Sequence, residues 1–134
     1  MKYLLDTNIC VFIFRRKFPS IRQRLDKTQP GEVGISAVTL AELRYGADKS
    51  SDPAKNHTVI DAFLTTVVVQ EFSEDAARIY GNVRSQLESR GTPIGPLDNM
   101  IAAHSLSAGT VLVTNNVHEF SRVAGLVVVD WTCP

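Results

Sequence analysis

Short uninterrupted apolar runs alternate along the chain with stretches whose apolar residues recur every three or four positions. Four of the runs are Tyr3-Leu4-Leu5, Val33-Gly34-Ile35, Val111-Leu112-Val113 and Val127-Val128-Val129. Continuity, rather than apolar–polar alternation, is how strands buried on both faces of a parallel sheet read. Val67-Val68-Val69 is a fifth candidate. Between the runs lie helical patterns. Asn8 to Phe14 is short. Pro19 to Thr28 opens on a proline whose fixed φ suits a first helical turn. Ser36 to Ser50 begins with an N-cap serine, and Pro53 to Leu64 follows. Ser73 to Arg90 is longer, with Ala76, Ile79, Tyr80, Val83 and Leu87 on one face and Gly91 as its stop. Pro96 to Ala108 ends at Gly109. Strands alternating with helices specify a parallel sheet covered on both sides. The expected fold is therefore α/β, one three-layer α/β/α domain over residues 1–134.

Composition narrows the class without naming a chemistry. At 134 residues the chain can bury one sizeable core. Its 44% hydrophobic and 21% charged residues are those of an ordinary globular protein, which removes the disordered and membrane classes. No run approaches the roughly 18 apolar residues of a membrane span. The apolar run after Met1-Lys2 is too short for a secretory signal, so a cytoplasmic protein is expected. Cys10 and Cys133 stand at opposite ends without metal-ligand spacing and read as two free thiols in a reducing compartment. His57, His104 and His118 are scattered, which argues against zinc and against a histidine-based ribonuclease. The glycine-rich turns of dinucleotide and P-loop proteins are absent.

Charge adds one local feature. Fourteen basic residues balance fourteen acidic ones. Yet Arg15, Arg16, Lys17, Arg22, Arg24 and Lys27 fall within thirteen residues against Asp26 alone. Such a segment can collect phosphates by releasing counterions. It equally fits an acidic partner peptide or a solvated helix face.

The oxygen-bearing residues carry the chemistry. In an open α/β sheet, ligands bind beyond the carboxyl ends of the strands, where the strand order switches direction. Asp6-Thr7-Asn8 stands there, directly after Tyr3-Leu4-Leu5. Glu42 lies in a helix among Val38, Leu40, Ala41 and Leu43, on one stripe with Val38 and Tyr45. Asp98 falls in a first helical turn, and Thr114-Asn115-Asn116, then Glu119-Phe120, follow another apolar run. Each has a plain alternative: helix capping for Asp6, an exposed helix former for Glu42, the helix dipole for Asp98, turn chemistry for Asn115-Asn116. Together they gather carboxylates that repel one another unless a cation neutralises them. A hard divalent ion prefers such oxygen donors, and two such ions can flank a phosphodiester. A dehalogenase-type phosphohydrolase would need a second Asp where this chain has Asn8.

At these residues the sequence resembles the PIN-domain ribonucleases, and among them the VapC toxins of bacterial VapBC toxin–antitoxin pairs. Leu5-Asp6-Thr7-Asn8 is similar to the family's opening block, and Ile35-Ser36 through Glu42 to Tyr45-Gly46 to its second. Pro96-Leu97-Asp98-Asn99-Met100-Ile101-Ala102-Ala103 resembles the third. Leu112-Val113-Thr114-Asn115-Asn116 with Glu119-Phe120, then Val129-Asp130-Trp131, resembles the last. The match runs the length of the chain. It implies a five-stranded parallel sheet of order 3-2-1-4-5 and a magnesium- or manganese-dependent endoribonuclease. Asp6, Glu42 and Asp98 would be its acidic core and metal ligands. Many relatives carry a fourth acid where this chain has Asn116, so either Asn116 holds a metal-bound water or Glu119 supplies the charge. Thr7, Asn8, Ser36, Thr114 and Asn115 would support the site, and Arg15, Arg16 and Lys17 would meet RNA. The resemblance further implies an RNA substrate, often tRNA, and silencing by a VapB-type antitoxin. It implies a homodimer that forms a larger hetero-oligomer with that antitoxin, and no membrane. A non-catalytic binding module of the same fold is the remaining alternative, against which the intact acids count.

Overall fold

The computed structural model describes residues 1–134. Five strands, β1 (Tyr3–Leu5), β2 (Val33–Ser36), β3 (Val68–Gln70), β4 (Val111–Val113) and β5 (Val128–Val129), alternate with seven helices. These are α1 (Thr7–Phe14), α2 (Pro19–Asp26), α3 (Ala37–Asp48), α4 (Pro53–Leu64), α5 (Glu74–Ser89), α6 (Pro96–Ala108) and α7 (Val117–Phe120). All strand pairs are parallel, in the order β3-β2-β1-β4-β5.

Why the central runs are continuous is visible in where neighbours point. Successive residues of a strand face opposite sides of the sheet. Leu4 and Leu112 enter the core beneath α5 and α6, with Val83, Leu87 and Ile101. Leu5 and Val113 enter the opposite core, with Ile9, Ile21, Leu43 and Phe63. All four strand residues are fully buried, each stabilising the fold by about 2 kcal/mol. The edges differ. β3 runs one residue later than the apolar run suggests, and Val68 and Val69 stay 39% and 40% exposed because nothing covers the outer side of an edge strand. β5 is two residues long, and Val127 lies outside it.

Helix ends follow the capping signals to within a residue or two. Ser36 and Ser73 cap α3 and α5 by accepting from the amides of Val38 and Ala76. Gly91 and Gly109 take left-handed backbone after α5 and α6. The short α7, in a segment read as turn, was not foreseen.

β1 is central, with β2 on one side and β4 on the other, so the chain order reverses between β1 and β4. The carboxyl ends of both strands meet there: the Asp6 amide donates to the Val113 carbonyl at 3.0 Å. Ser36 holds the third neighbouring strand end. Its hydroxyl oxygen accepts from the Val38 amide at 3.0 Å and lies 2.7 Å from His104 Nδ1, all three residues being buried. Ser36→Ala removes the cap of α3 and strands a buried imidazole nitrogen. A loss of about 2 kcal/mol in unfolding free energy is expected, read from the urea midpoint; a midpoint equal to the parent's would mean that water replaces the serine.

Candidate active site

Asp6, 4% exposed, does two things at once. As N-cap of α1 it accepts from the Ile9 amide at 2.9 Å, and the nearby Thr114 hydroxyl favours its charged form. Thr114, itself fully buried, receives the Asn116 amide on its hydroxyl oxygen at 2.9 Å. The turn after β4 therefore backs the acid after β1. Despite the Ile9 bond and the Thr114 hydroxyl, the Asp6 carboxyl is raised from its ordinary 3.8 to about 6, foremost by burial and further by the charges of Asp98 and Glu42. Asp98, in the first turn of α6, is also raised, by burial and then by Glu119 and Glu42. Four carboxylates from α1, α3, α6 and α7 thus share one field.

Each of the two outer acids has a tether. Glu42 Oε1 accepts from the Thr7 hydroxyl at 2.7 Å, and Thr7 also reaches Thr39 at 3.4 Å. Glu119 Oε2 accepts from the Asn116 side-chain amide at 2.9 Å. One N–H of the Asn116 side chain is thus given to Glu119, which ties the two residues together.

The structure brings together Asp6, Glu42, Asp98, Glu119, Thr7, Thr114 and Asn116. It places Ser36 behind the site as a cap, while Asn8 and Asn115 are exposed and make no side-chain hydrogen bond to the acids. The basic segment divides. Arg15 shares a groove with Thr7 and Glu42, whereas Arg16 and Lys17 line a separate cavity with Phe18 and Arg22. Sequence reasoning missed Thr39, buried one turn before Glu42 on its own helix face; that i, i+3 spacing was the available signal. It also missed the pairing of His104 with Ser36, which no local pattern announces.

None of the four carboxylates belongs to an ion pair; the ion pairs all lie on other surfaces. No three acidic, histidine or cysteine side chains stand at the spacing of one ion's ligands. The donor set is nevertheless all oxygen and lacks a countercharge, which suits a hard ion taken by one or two carboxylates and water.

Comparison with known proteins agrees with this arrangement. A family model described as the PIN domain matches residues 3–126. The tRNA(fMet)-specific endonuclease VapC of Shigella flexneri is 46% identical over 132 residues, covering 98% of this chain and 99% of that one. The DNA-bound VapBC structure from Salmonella typhimurium superposes with a TM-score of 0.93 at 42% identity, covering 98% of each chain. That of VapBC2 from Rickettsia felis, bound to a DNA fragment from its promoter, gives 0.89 at 35%, covering 98% of this chain and 99% of that one.

The Asp6 charge carries a stability consequence. The folded carboxyl keeps its proton to about pH 6 and an unfolded one releases it near 3.8. Between those values the folded state binds more protons, so the cation-free protein loses stability as pH rises through that window. The stabilisation is complete below the lower value and gone above the upper one, a difference of about 3 kcal/mol. Asp6→Asn keeps a capping oxygen and drops the charge. It is expected to raise the urea midpoint of the cation-free protein near pH 7 and to flatten the slope across the window. A lowered midpoint with the parent's slope would show that the charge is not what burial strains.

Proposed function

Since the chain belongs to the PIN-domain family and stands among its VapC ribonucleases, we propose that it is a magnesium- or manganese-dependent endoribonuclease, the toxin of a VapBC-type pair, cutting RNA and most readily tRNA. The observation that carries this reading is the group of four carboxylates at the sheet's switch point with no cation of the protein's own to balance them. Support for tRNA comes from the relative's name. Support for a VapB-type antitoxin as partner comes from the VapBC complexes of like fold. The toxin acts in the cytoplasm as a homodimer and joins the antitoxin in a larger complex; residues 1–134 work as one PIN domain. No helix is long and apolar enough to cross a membrane.

A divalent ion, when bound, supplies positive charge for the phosphodiester and lowers the pKa of a water. The chain's own residues do the rest. Asp6, Asp98 and Glu42 would hold the ion, with Asp6 fixed in orientation by the Ile9 amide. Glu42, fixed by Thr7, adds the third charge. Glu119 supplies the fourth, in place of the acid that many relatives carry at the position of Asn116, and Asn116 orients it.

Three measurements test this. Cleavage of a tRNA pool should stop in EDTA and return with magnesium or manganese; undiminished cleavage by stripped protein would overturn the reading. Asp6→Asn and Asp98→Asn should each lower cleavage by on the order of a hundredfold or more and abolish growth arrest on expression, with antitoxin binding retained. Arrest by both variants would reduce the two acids to helix caps. Glu119→Gln should weaken manganese binding more than Asn116→Ala does. The opposite order would make Asn116 the direct ligand-holder.

A further inference from the structure

A groove of about 510 Å³ leaves the acidic centre at Thr7 and Glu42 and runs between α1, α3 and α4. Its floor is apolar, from Val11 and Phe14 to Leu43 and Ile60. Its rim carries three cations from three elements: Arg15 after α1, Lys49 after α3 and Lys55 in α4. All three are exposed, none is in an ion pair, and Glu42 is the only acid lining the groove.

Local stability explains only part of this. Arg15 and Lys49 cap the C-terminal ends of their helices, where the dipole favours a cation. Lys55 is in the first turn of α4, where the dipole disfavours one. The walls are also fixed in advance. Arg44 of α3 binds Asp61 of α4 at 2.7 Å, and His57 of α4 binds Asp48 of α3 at 2.7 Å. Asn56 donates to Ser50 at 2.8 Å across the intervening turn.

From this we infer that the groove is the track for the RNA strand flanking the scissile bond, with Lys49 and Lys55, beside Arg15, gripping its phosphates. The inference rests on the ribonuclease reading above and deepens it. Charge decides the occupant: a row of uncompensated cations continuous with a phosphodiester-cutting centre matches a polyanion. Lys49 lies over the Tyr45 ring at 4.9 Å, a contact that leaves its charge unneutralised on the rim. Arg16 and Lys17 line a separate cavity and have no such continuity with the acidic centre.

The test uses the full chain and an initiator tRNA transcript as probe. Binding is measured in EDTA across a salt series, and cleavage in magnesium under single turnover. Lys49→Gln/Lys55→Gln should weaken binding on the order of tenfold near 0.1 M salt and lower the log–log salt slope by about 1.4, about 0.7 per lost phosphate contact. The cleavage rate at saturating RNA should stay at the parent's value. Lys49→Arg/Lys55→Arg should restore both binding and slope, which a merely structural role would not require. Unchanged RNA affinity and slope in the Gln pair overturns the inference. So does a pattern in which that pair loses only inhibition by antitoxin, or in which Arg16→Gln/Lys17→Gln alone flattens the slope. If the parent protein fails to cleave the probe or any tRNA in magnesium, the ribonuclease reading itself has failed, an outcome separate from these.

Discussion

Like charges gathered where water is scarce must be held in place by the rest of the chain, and much of this fold is arranged around that demand. Asp6 sits at the only junction of the sheet where two adjacent strands send the chain in opposite directions, buried and raised in pKa. What holds it and its neighbours restrains without neutralising: the Ile9 amide, the Val113 carbonyl on the Asp6 backbone, and the Thr7–Glu42 and Asn116–Glu119 pairs. Neutral donors fix the direction of a carboxylate while leaving its charge intact. A lysine or arginine in the same place would stabilise the fold and remove the capacity to attract an outside cation. The chain thus carries an electrostatic strain that its two cores offset, Leu5 and Val113 from one side and Leu4 and Leu112 from the other.

That division of labour explains which features were legible in the linear sequence. The central strands were readable because burial on two faces leaves no room for polar alternation. The helix starts were readable because Ser36, Ser73, Pro19, Pro53 and Pro96 announce themselves locally. For Asp6 the plain alternative, a helix cap, and the functional one proved not to exclude each other: the carboxylate caps α1 through one oxygen and still contributes charge. The same residue serves both because the amide it caps and the cleft it faces lie on the same end of the sheet. The five-stranded order came from likeness to a family, since short apolar runs do not say which neighbours pair.

What stayed hidden was nonlocal. Arg15, Arg16 and Lys17 form one block in sequence, yet the chain turns through left-handed backbone at Arg16 and again at Phe18, at φ 52° and 58°. Arg15 is thereby left with the acidic centre, while its two neighbours point into another cavity. Lys49 and Lys55 show the reverse case. They stand on either side of the turn between the two helices, Lys49 just after α3 and Lys55 in the first turn of α4, and face one groove where the Arg44–Asp61 and His57–Asp48 pairs hold α3 against α4. Charge runs along a chain are therefore a poor guide to charge on a surface when a tight turn interrupts them.

The separation of charges also bears on how cutting and gripping are divided. Within the acidic centre a phosphate meets repulsion until a divalent ion intervenes, so the centre by itself discourages idle binding of nucleic acid. Affinity must then be supplied from outside it, and the nearest place with unpaired cations is the groove that starts at Glu42. A partner that filled the groove would deny RNA its grip without touching the buried Asp6, and one that also carried a cation to the four acids would relieve their mutual repulsion. Inhibition and substrate binding would then compete for the same two fields, the acidic one and the basic one beside it. The tightness of any inhibitor would follow from engaging both at once.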